Sequence, residues 1–334
     1  MAISNEDIDF HEPTAPLSPH WAETNFFSFH IPEENITAHV CTMNKTVLGV
    51  TLAEVWLIHG ISNNWADSLY VDSRYHLPVI KKLSDYETAS GIRVKALNAR
   101  DYDVSYTGYG GMELEFKFRG LMEPFDISDP NHSPKARAGA TIEERAQASG
   151  YGSAYTGHFD LTGKIDGTLK IYGRTLPIDC VDTMGHSWGL RPEASDGASG
   201  TIAHAHFGPD LVLHWINKWD SEGAPRTKAQ LAHGYIMEDG VAYGLTDLKL
   251  VPERTDGMLM SITLEAVDKR GRVLKMRGVT QAGAPVPHYH FVDSYYSYMR
   301  WELEDGRIGY GLVIDAKAMS EISSEKGKIW AAGK

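Results

Sequence analysis

The feature that most constrains the fold of this chain is a long succession of short segments with the pattern of β-strands. In segments such as 45–56, 112–118 and 211–219, apolar or β-branched residues alternate with polar ones. This alternation places the apolar side chains on one face of an extended strand. Similar segments cover 36–43, 69–76, 92–97, 102–107, 154–161, 167–172, 202–207, 230–237, 241–251, 258–267, 273–280, 291–303 and 307–314.

Helical patterns are scarce in the sequence. Thr141 and Glu144 have the spacing of a capping box and predict a short helix that ends near Ala148. A second short helix is predicted near the C-terminus, over 317–326. We therefore predict an all-β protein with two consecutive lipocalin-like antiparallel β-barrels or sandwiches, since a single barrel with so many strands is unusual.

The length of 334 residues fits two medium domains. We expect the first β domain to cover 1–165 and the second to cover 166–334. Residues 124–150 are polar and contain proline and alanine, and we interpret them as a lid or insertion in the first domain.

Charge and composition limit the class of function. The net charge of -12 argues against binding to nucleic acid or to anionic lipid, which require basic surfaces. No apolar run approaches the ~20 residues of a membrane span, and no signal peptide is visible at the N-terminus. We expect a cytoplasmic protein with Cys41 and Cys180 reduced on strands. The sequence leaves open whether the chain forms a homodimer.

The segment 182–191 combines an acid, an imidazole, an indole and a guanidinium, from Asp182, His186, Trp188 and Arg191. A folding core rarely needs all four groups together. We interpret this segment as the wall of a binding or reaction pocket.

The 15 histidines include two His-x-His pairs, at 204–206 and 288–290. Each pair places two imidazoles on one side of a strand, so the pairs could ligate zinc or iron if their strands converge. The alternative is that the imidazoles are hydrogen-bonded in a polar barrel lumen. Our assignment includes no metal. We also expect no nucleotide or nicotinamide cofactor, because Walker and dinucleotide motifs are absent from the sequence.

Aromatic residues accompany carboxylates on several predicted strands. Glu54 and Trp56 share one strand face, as do Asp72 and Arg74. These faces indicate either a pocket wall, where burial would raise the pKa of a carboxyl group, or a solvated polar surface.

Further aromatic residues lie in the second half of the chain. Trp215 and Asn217 share a face, and Tyr298 lies in a late aromatic segment. The 8 Trp and 16 Tyr favour a large apolar ligand, or alternatively packing between the two domains.

The Asp-x-x-x-His-Ser-Trp-Gly-x-Arg segment at 182–191, set between two runs of strands, resembles a known superfamily. This is the two-domain lipocalin-like superfamily of AttH-type proteins, carotenoid 1,2-hydratases and fungal Diels–Alderases, and the layout is similar to that of a bacterial branch. The resemblance implies an apolar ligand between or inside two barrels. His186 and Trp188 match the His-x-Trp pair of the hydratases, which implies an acid that protonates an alkene beside an aromatic face. Gly185 stands where an acidic residue is expected.

Together these features predict a cofactor-independent lyase or isomerase that acts on a hydrophobic terpenoid, steroid or aromatic substrate. Hydration, dehydration, isomerisation or cyclisation would need a proton donor or acceptor in a dry cavity. We expect His186, oriented by Asp182, to act as the acid or base, with His204 and His206 as further candidates. The predicted substrate-binding residues are Trp188, Trp215, Glu54, Trp56, Asp72, Asn217 and Tyr298. A non-catalytic carrier of an apolar molecule and a His-ligated metal enzyme are the alternatives.

Overall fold

The computed structural model describes residues 3–13, 17–141, 143–144, 147, 152–192, 199–219, 228–289 and 291–333. Within these residues the chain is all-β, as predicted, with a curled half-barrel followed by a closed barrel. The strands are β1 Trp21–Ile31, β2 Ile36–Lys45, β3 Val50–His59, β4 Tyr70–Pro78, β5 Asp85–Glu87, β6 Ile92–Ala96, β7 Asp101–Thr107, β8 Glu113–Gly120, β9 Phe125–Asp126, β10 Gly157–Ile171, β11 Arg174–Leu190, β12 Gly200–His206, β13 Leu211–Trp219, β14 Ala229–Glu238, β15 Val241–Thr255, β16 Met258–Asp268, β17 Val273–Pro285, β18 Val292–Leu303 and β19 Ile308–Ala318.

The helical elements are short. An α-helix, α1, spans Met319–Ala332, and 3₁₀ turns cover Pro32–Glu34, Trp65–Asp67, Tyr109–Gly111 and Gly152–Tyr155. Thr141 and Glu144 exchange the two hydrogen bonds of a capping box, at 2.8 and 3.2 Å, but most of the helix predicted there lies outside the described residues. None of the described helices has both the length and the apolar character needed to cross a lipid bilayer.

The half-barrel is an antiparallel sheet in the order β4-β3-β2-β1-β11-β10-β8-β7-β6-β5, and β9 pairs with β10. Its concave core follows directly from the sequence alternation. On β8, for example, Leu114, Phe116 and Phe118 are buried, whereas the charged residues between them are exposed. Phe27 and Phe29 of the central strand β1 pack in the same core.

Strands β12 to β19 form the closed barrel, in which β19 pairs back to β12. Its interior is filled by apolar residues that include Trp215 and Trp301. The outside of the barrel is also covered. On β18, Met299 and Trp301 point into the barrel, whereas Tyr296 and Tyr298 belong to a cluster against the half-barrel. Burial on both faces explains why aromatic residues are so frequent in this strand.

The half-barrel packs on the outside of the barrel. Trp56 and Ile58 of β3 contact the cluster that contains Tyr298. The backbones also join, since the Gly283 N–H donates to the Gly60 carbonyl at 2.7 Å and the Ser62 N–H donates to the Gly283 carbonyl at 2.9 Å. A Cβ atom at position 283 would lie 2.8 Å from the Tyr295 ring, so this close approach requires glycine.

The two sheets divide between Leu190 and Gly200. The boundary that we expected between residues 165 and 166 falls inside β10, and the 182–191 segment belongs to β11 of the first sheet. The turn at Tyr172 and Gly173, with φ of 48° and 77°, simply closes the β10–β11 hairpin. Turn residues look the same in sequence whether they end a hairpin or a domain. Cys41 and Cys180 are free and buried on strands, as predicted.

Candidate functional site

A cavity of about 460 Å³ lies between the half-barrel and the outside of the barrel. Its volume is within the range of about 300–1,000 Å³ that is usual for small-molecule sites. Residues of β1, β10 and β11 form one wall, and residues of β12, β13, β18 and β19 form the other. Most of the lining is apolar and includes Phe26, Ile202, Ile216, Val292 and Ile314.

A carboxylate–imidazole pair on β10 faces this cavity. His158 and Asp160 are two residues apart, so the pleat of the strand places both side chains on one face. His158 Nε2 lies 2.8 Å from Asp160 Oδ2, which assigns Nε2 as the N–H donor. His158 Nδ1 has no hydrogen-bond partner among the described residues. The Tyr155 ring stacks on the imidazole at 4.6 Å, so the orientation of the imidazole is fixed.

Other imidazoles surround Asp160 and keep it ionised. The Nε2 atom of His214 lies 2.9 Å from Asp160 Oδ2, and His233 Nε2 lies 3.9 Å away. Burial alone would raise the pKa of Asp160, but His158 and His214 hold it well below its usual range. His204 lines the cavity and shares a 2.8 Å contact with His214. Burial, followed by the nearby His214, lowers the pKa of His204 well below its usual range, so this imidazole is neutral.

A second carboxylate–imidazole pair reaches the cavity through its imidazole. Glu54 on β3 accepts a short hydrogen bond from Nδ1 of His288, which lies between β17 and β18 and lines the cavity. Glu54 also accepts a hydrogen bond from Ser73 Oγ at 2.8 Å. Burial opposes ionisation of Glu54, but His288 and His39 outweigh it and lower its pKa. Both pairs therefore combine an ionised carboxylate with an imidazole.

The cavity also contains a cation and a thiol. Arg191, just after β11, donates hydrogen bonds to Ser187 and Tyr289. Cys41 lines the cavity, but burial raises the pKa of its thiol well above the usual value. Since the thiolate is the nucleophilic form, Cys41 is not suited to covalent catalysis.

His186 lies on the face of β11 that points away from this cavity, in the half-barrel core. It is 1% exposed, and its Nε2 lies 3.5 Å from Glu23 Oε2. Burial lowers the pKa of His186. Trp188 follows on the same face and stacks on His11 at 3.6 Å. The β11 residues that line the cavity are the alternate ones Thr183, Gly185 and Ser187, followed by Leu190 at the end of the strand.

Asp182 does not contact His186. Its carboxylate accepts hydrogen bonds from Ser28 Oγ at 2.6 Å and from His30 Nδ1 at 2.7 Å. His206 lies nearby, with Nε2 3.0 Å from Thr183 Oγ1, and burial lowers its pKa to about 4. These residues form a buried polar contact between the half-barrel and the barrel. Of the predicted His-x-His pair at 204–206, only the first member lines the cavity.

The predicted substrate-binding residues are distributed over several environments. Trp215 is inside the barrel, where its Nε1 donates to Asn217 Oδ1 at 3.2 Å. Trp56 and Tyr298 pack between the two sheets. Asp72 binds Arg74 at 2.8 Å and accepts a hydrogen bond from Tyr106 at 2.7 Å. Alternation in the sequence identified residues that share a face, but it could not tell which face borders the cavity.

Among the residues that the structure describes, three groups of side chains have the donors and spacing for a metal ion, with ligand atoms within 4.8 Å of one another. Imidazole and carboxylate donors of this kind suit zinc or iron. Of the pair at 204–206 only His206 belongs to one of these groups, and His290 lies outside the described residues. The groups are His11–Glu23–His186, His30–Asp182–His206 and His158–Asp160–His233.

Sequence reasoning did not single out the pair of His158 and Asp160, although a signal was present. His-x-Asp on the predicted strand 154–161 necessarily places both groups on one face. The pairing of Glu54 with His288 had no such signal, because 234 residues separate them.

Comparisons with known proteins agree with the fold. The family model described as "Domain of unknown function (DUF7064)" matches residues 4–323. A search of curated protein sequences gives no match. Kievitone hydratase from Nectria haematococca is similar in structure, with a TM-score of 0.52 and 10% identity over 92% of this chain and 90% of that chain.

Two other solved structures have the same architecture. CghA with Sch210972 has a TM-score of 0.54 and 10% identity, over 90% of this chain and 89% of that one. A protein described as AttH from Nitrosomonas europaea has a TM-score of 0.54 and 9% identity, over 88% of this chain and 91% of that one. At this level of identity the similarity shows that the chain shares the overall fold of these three proteins.

Proposed function

This chain belongs to the DUF7064 family, and we propose that it is a cofactor-independent lyase or isomerase because two carboxylate–imidazole pairs border one apolar cavity. Its substrate is a hydrophobic terpenoid, steroid or aromatic molecule. The structural similarity to kievitone hydratase, which is named as a hydratase, supports a lyase-like role. The reaction class comprises hydration, dehydration, isomerisation and cyclisation.

The observation that carries the proposal is the presence of two acid–base groups on one mostly apolar cavity. His158 is held by Asp160, and His288 is held by Glu54. A carboxylate that binds one ring nitrogen orients the imidazole and stabilises its protonated form, while the other nitrogen remains available for proton transfer. Acid–base catalysis of this kind contributes about 10²–10⁴-fold to a rate.

The chemistry needs no electron acceptor. In an isomerisation, one imidazole removes a proton from an allylic carbon, the double bond moves, and the imidazolium of the other pair protonates the far carbon. In a hydration, one imidazolium protonates the alkene and the other imidazole takes a proton from the water that adds to the neighbouring carbon. Both reactions are redox-neutral, and dehydration is the reverse of the second.

This proposal assigns proton transfer to His158 and His288 and gives the buried pair of His186 and Glu23 a structural role. His186 is 1% exposed and does not line the cavity. A substrate in the cavity would contact Ser187 and Gly185 of the same strand.

The test is to incubate the protein with terpenoid, steroid and aromatic alkenes in deuterated water and to follow products by mass spectrometry. Isomerisation incorporates deuterium at carbon, and hydration or dehydration changes the mass by one water. We expect His158→Gln and His288→Gln each to lower turnover by about a hundredfold or more. His59→Gln, at an exposed position on β3, is the matched control.

The outcomes are distinct. Loss of turnover in His186→Gln, with full turnover in the other two variants, would contradict the assignment. Recovery of every bound molecule unchanged would instead identify a carrier, since a barrel protein can bind an apolar ligand without acid–base groups.

A further inference from the structure

The guanidinium of Arg191 is a cation on the cavity wall with only neutral partners among the described residues. Its Nε donates to the Ala154 carbonyl at 3.4 Å, Nη1 donates to the Tyr289 hydroxyl at 3.2 Å, and Nη2 donates to Ser187 Oγ at 2.5 Å. Burial opposes the raised pKa of Arg191, and the hydroxyl groups of Tyr289 and Tyr155 favour it. The side chain is therefore charged without a counter-ion within the described part of the chain.

Arg191 is partly buried, and a cation that loses part of its hydration without gaining an ion pair is unfavourable, because the desolvation is not repaid. The other partly buried arginines show the usual solution. Arg254, for example, binds Asp315 through two hydrogen bonds of 2.7 and 3.0 Å. Arg191 differs from Arg254 because it lines the cavity.

Arg191 also has unused donors. A guanidinium has five N–H groups, and three of them have partners here. One N–H on each of Nη1 and Nη2 is left without a partner among the described residues. Two N–H groups on neighbouring nitrogens match the two oxygens of a carboxylate, and this geometry is specific to arginine.

The groups around Arg191 indicate what kind of molecule would carry a carboxylate bound to it. The Arg191 Cζ lies 5.8 Å from the centre of the Tyr155 ring, and the same ring stacks on His158 at 4.6 Å. The anion site is thus separated from the acid–base group by a single aromatic ring. Beyond these groups the cavity is walled by apolar residues such as Ile202 and Ile314.

We propose that Arg191 binds the carboxylate of an amphipathic substrate, whose apolar body lies along the barrel wall and whose reacting carbons lie beside His158. This inference rests on the proposed function, and it narrows the substrate class to hydrophobic carboxylic acids. Ser187 and Tyr289 accept hydrogen bonds from the guanidinium and so hold it in place.

The test compares two probes of equal size, 2-naphthylacetate and its neutral amide, by isothermal titration calorimetry. We expect the wild-type protein to bind the acid at least about tenfold more tightly than the amide, about 1.4 kcal/mol. Arg191→Met should remove this preference and leave the affinity for the amide unchanged. Arg191→Lys should keep part of it, since a lysine retains the charge but not the two-pronged geometry.

Arg174→Met is the matched control, because Arg174 is an exposed arginine that pairs with Glu34 and does not line the cavity. Its preference for the acid should equal that of the wild type. Circular dichroism confirms folding of each variant before titration. Equal binding of both probes by the wild type, binding of neither probe, or an intact preference in Arg191→Met would overturn the inference.

The proposed function and this inference fail in different ways. His158→Gln should lose turnover and retain the preference for the acid probe. If His158→Gln and His288→Gln turn over substrate normally while Arg191→Met loses the preference, the anion site stands and the acid–base proposal falls. If His158→Gln and His288→Gln lose turnover but the wild-type protein shows no preference for the acid probe, only the anion site is overturned.

Discussion

Lowering the pH from 7 to 4.5 is expected to destabilise this fold because two of its buried imidazoles resist protonation. His39 on β2 and His206 on β12 are 1% and 4% exposed. Burial lowers the pKa of each from the ordinary value of about 6.5 to about 4. The nearby carboxylates of Glu54 and Asp182 oppose this effect but do not cancel it.

The sign follows from proton uptake by the unfolded chain. Between about pH 6.5 and pH 4 the unfolded imidazoles bind protons and the folded ones do not, so the free energy of unfolding falls as the pH falls. Above about pH 6.5 both imidazoles are neutral in the folded and in the unfolded chain, so this loss of stability is absent. With a pKa of about 4 in place of about 6.5, each imidazole accounts for a loss of about 2.5 kcal/mol at pH 4.5, or about 5 kcal/mol together.

Urea unfolding at pH 7 and pH 4.5, followed by tryptophan fluorescence and circular dichroism, measures this loss. His39→Gln and His206→Gln should each lower stability at both pH values but reduce the pH-dependent loss by about 2.5 kcal/mol. His59→Gln changes an exposed histidine and should retain the full loss. A constant free energy of unfolding over this range, or an unchanged loss in both buried variants, would refute the reasoning.

Two further predictions concern packing and metal content. In Gly157→Ala the added Cβ would lie 2.1 Å from the Trp188 indole, so we expect a loss of about 1–3 kcal/mol in urea unfolding. Gly327→Ala in α1, where nothing lies within 4 Å, should cost nothing, and a similar loss in both variants would contradict the packing argument. Elemental analysis of the purified protein is expected to find no stoichiometric zinc or iron, because the carboxylate of each candidate group already binds an imidazole of that group. A stoichiometric metal would instead support a metal-dependent reaction.

The fold class could be predicted because alternation is a local signal. On β8 the residues Leu114, Phe116 and Phe118 are separated by charged residues, and the pattern identifies a strand with one buried face. The same pattern cannot identify what each face packs against when a strand is buried on both faces. β18 presents Trp301 to the barrel core and Tyr298 to the half-barrel, and its sequence does not distinguish the two.

The candidate site was less predictable because it lies between two sheets. The segment 182–191 does contribute to the cavity, but through Ser187 and Arg191, not through the imidazole of His186. The sequence could not show which face of β11 borders the cavity, since both faces of this strand are buried. The pairing of Glu54 with His288 depends on how the half-barrel docks on the barrel, and this contact joins residues that are far apart in the chain.

The location of the cavity on the outer surface of a closed barrel has a consequence for how such proteins diversify. Along β12, Ile202 and His204 face the cavity, while Ala203 and Ala205 fill the barrel. Substitutions at the outward positions can reshape the chamber for a longer, bent or ringed molecule without disturbing the packing that keeps the barrel folded. Residues that set ligand selectivity and residues that stabilise the barrel thus alternate along the same strands. The range of ligands can therefore change while the fold is retained.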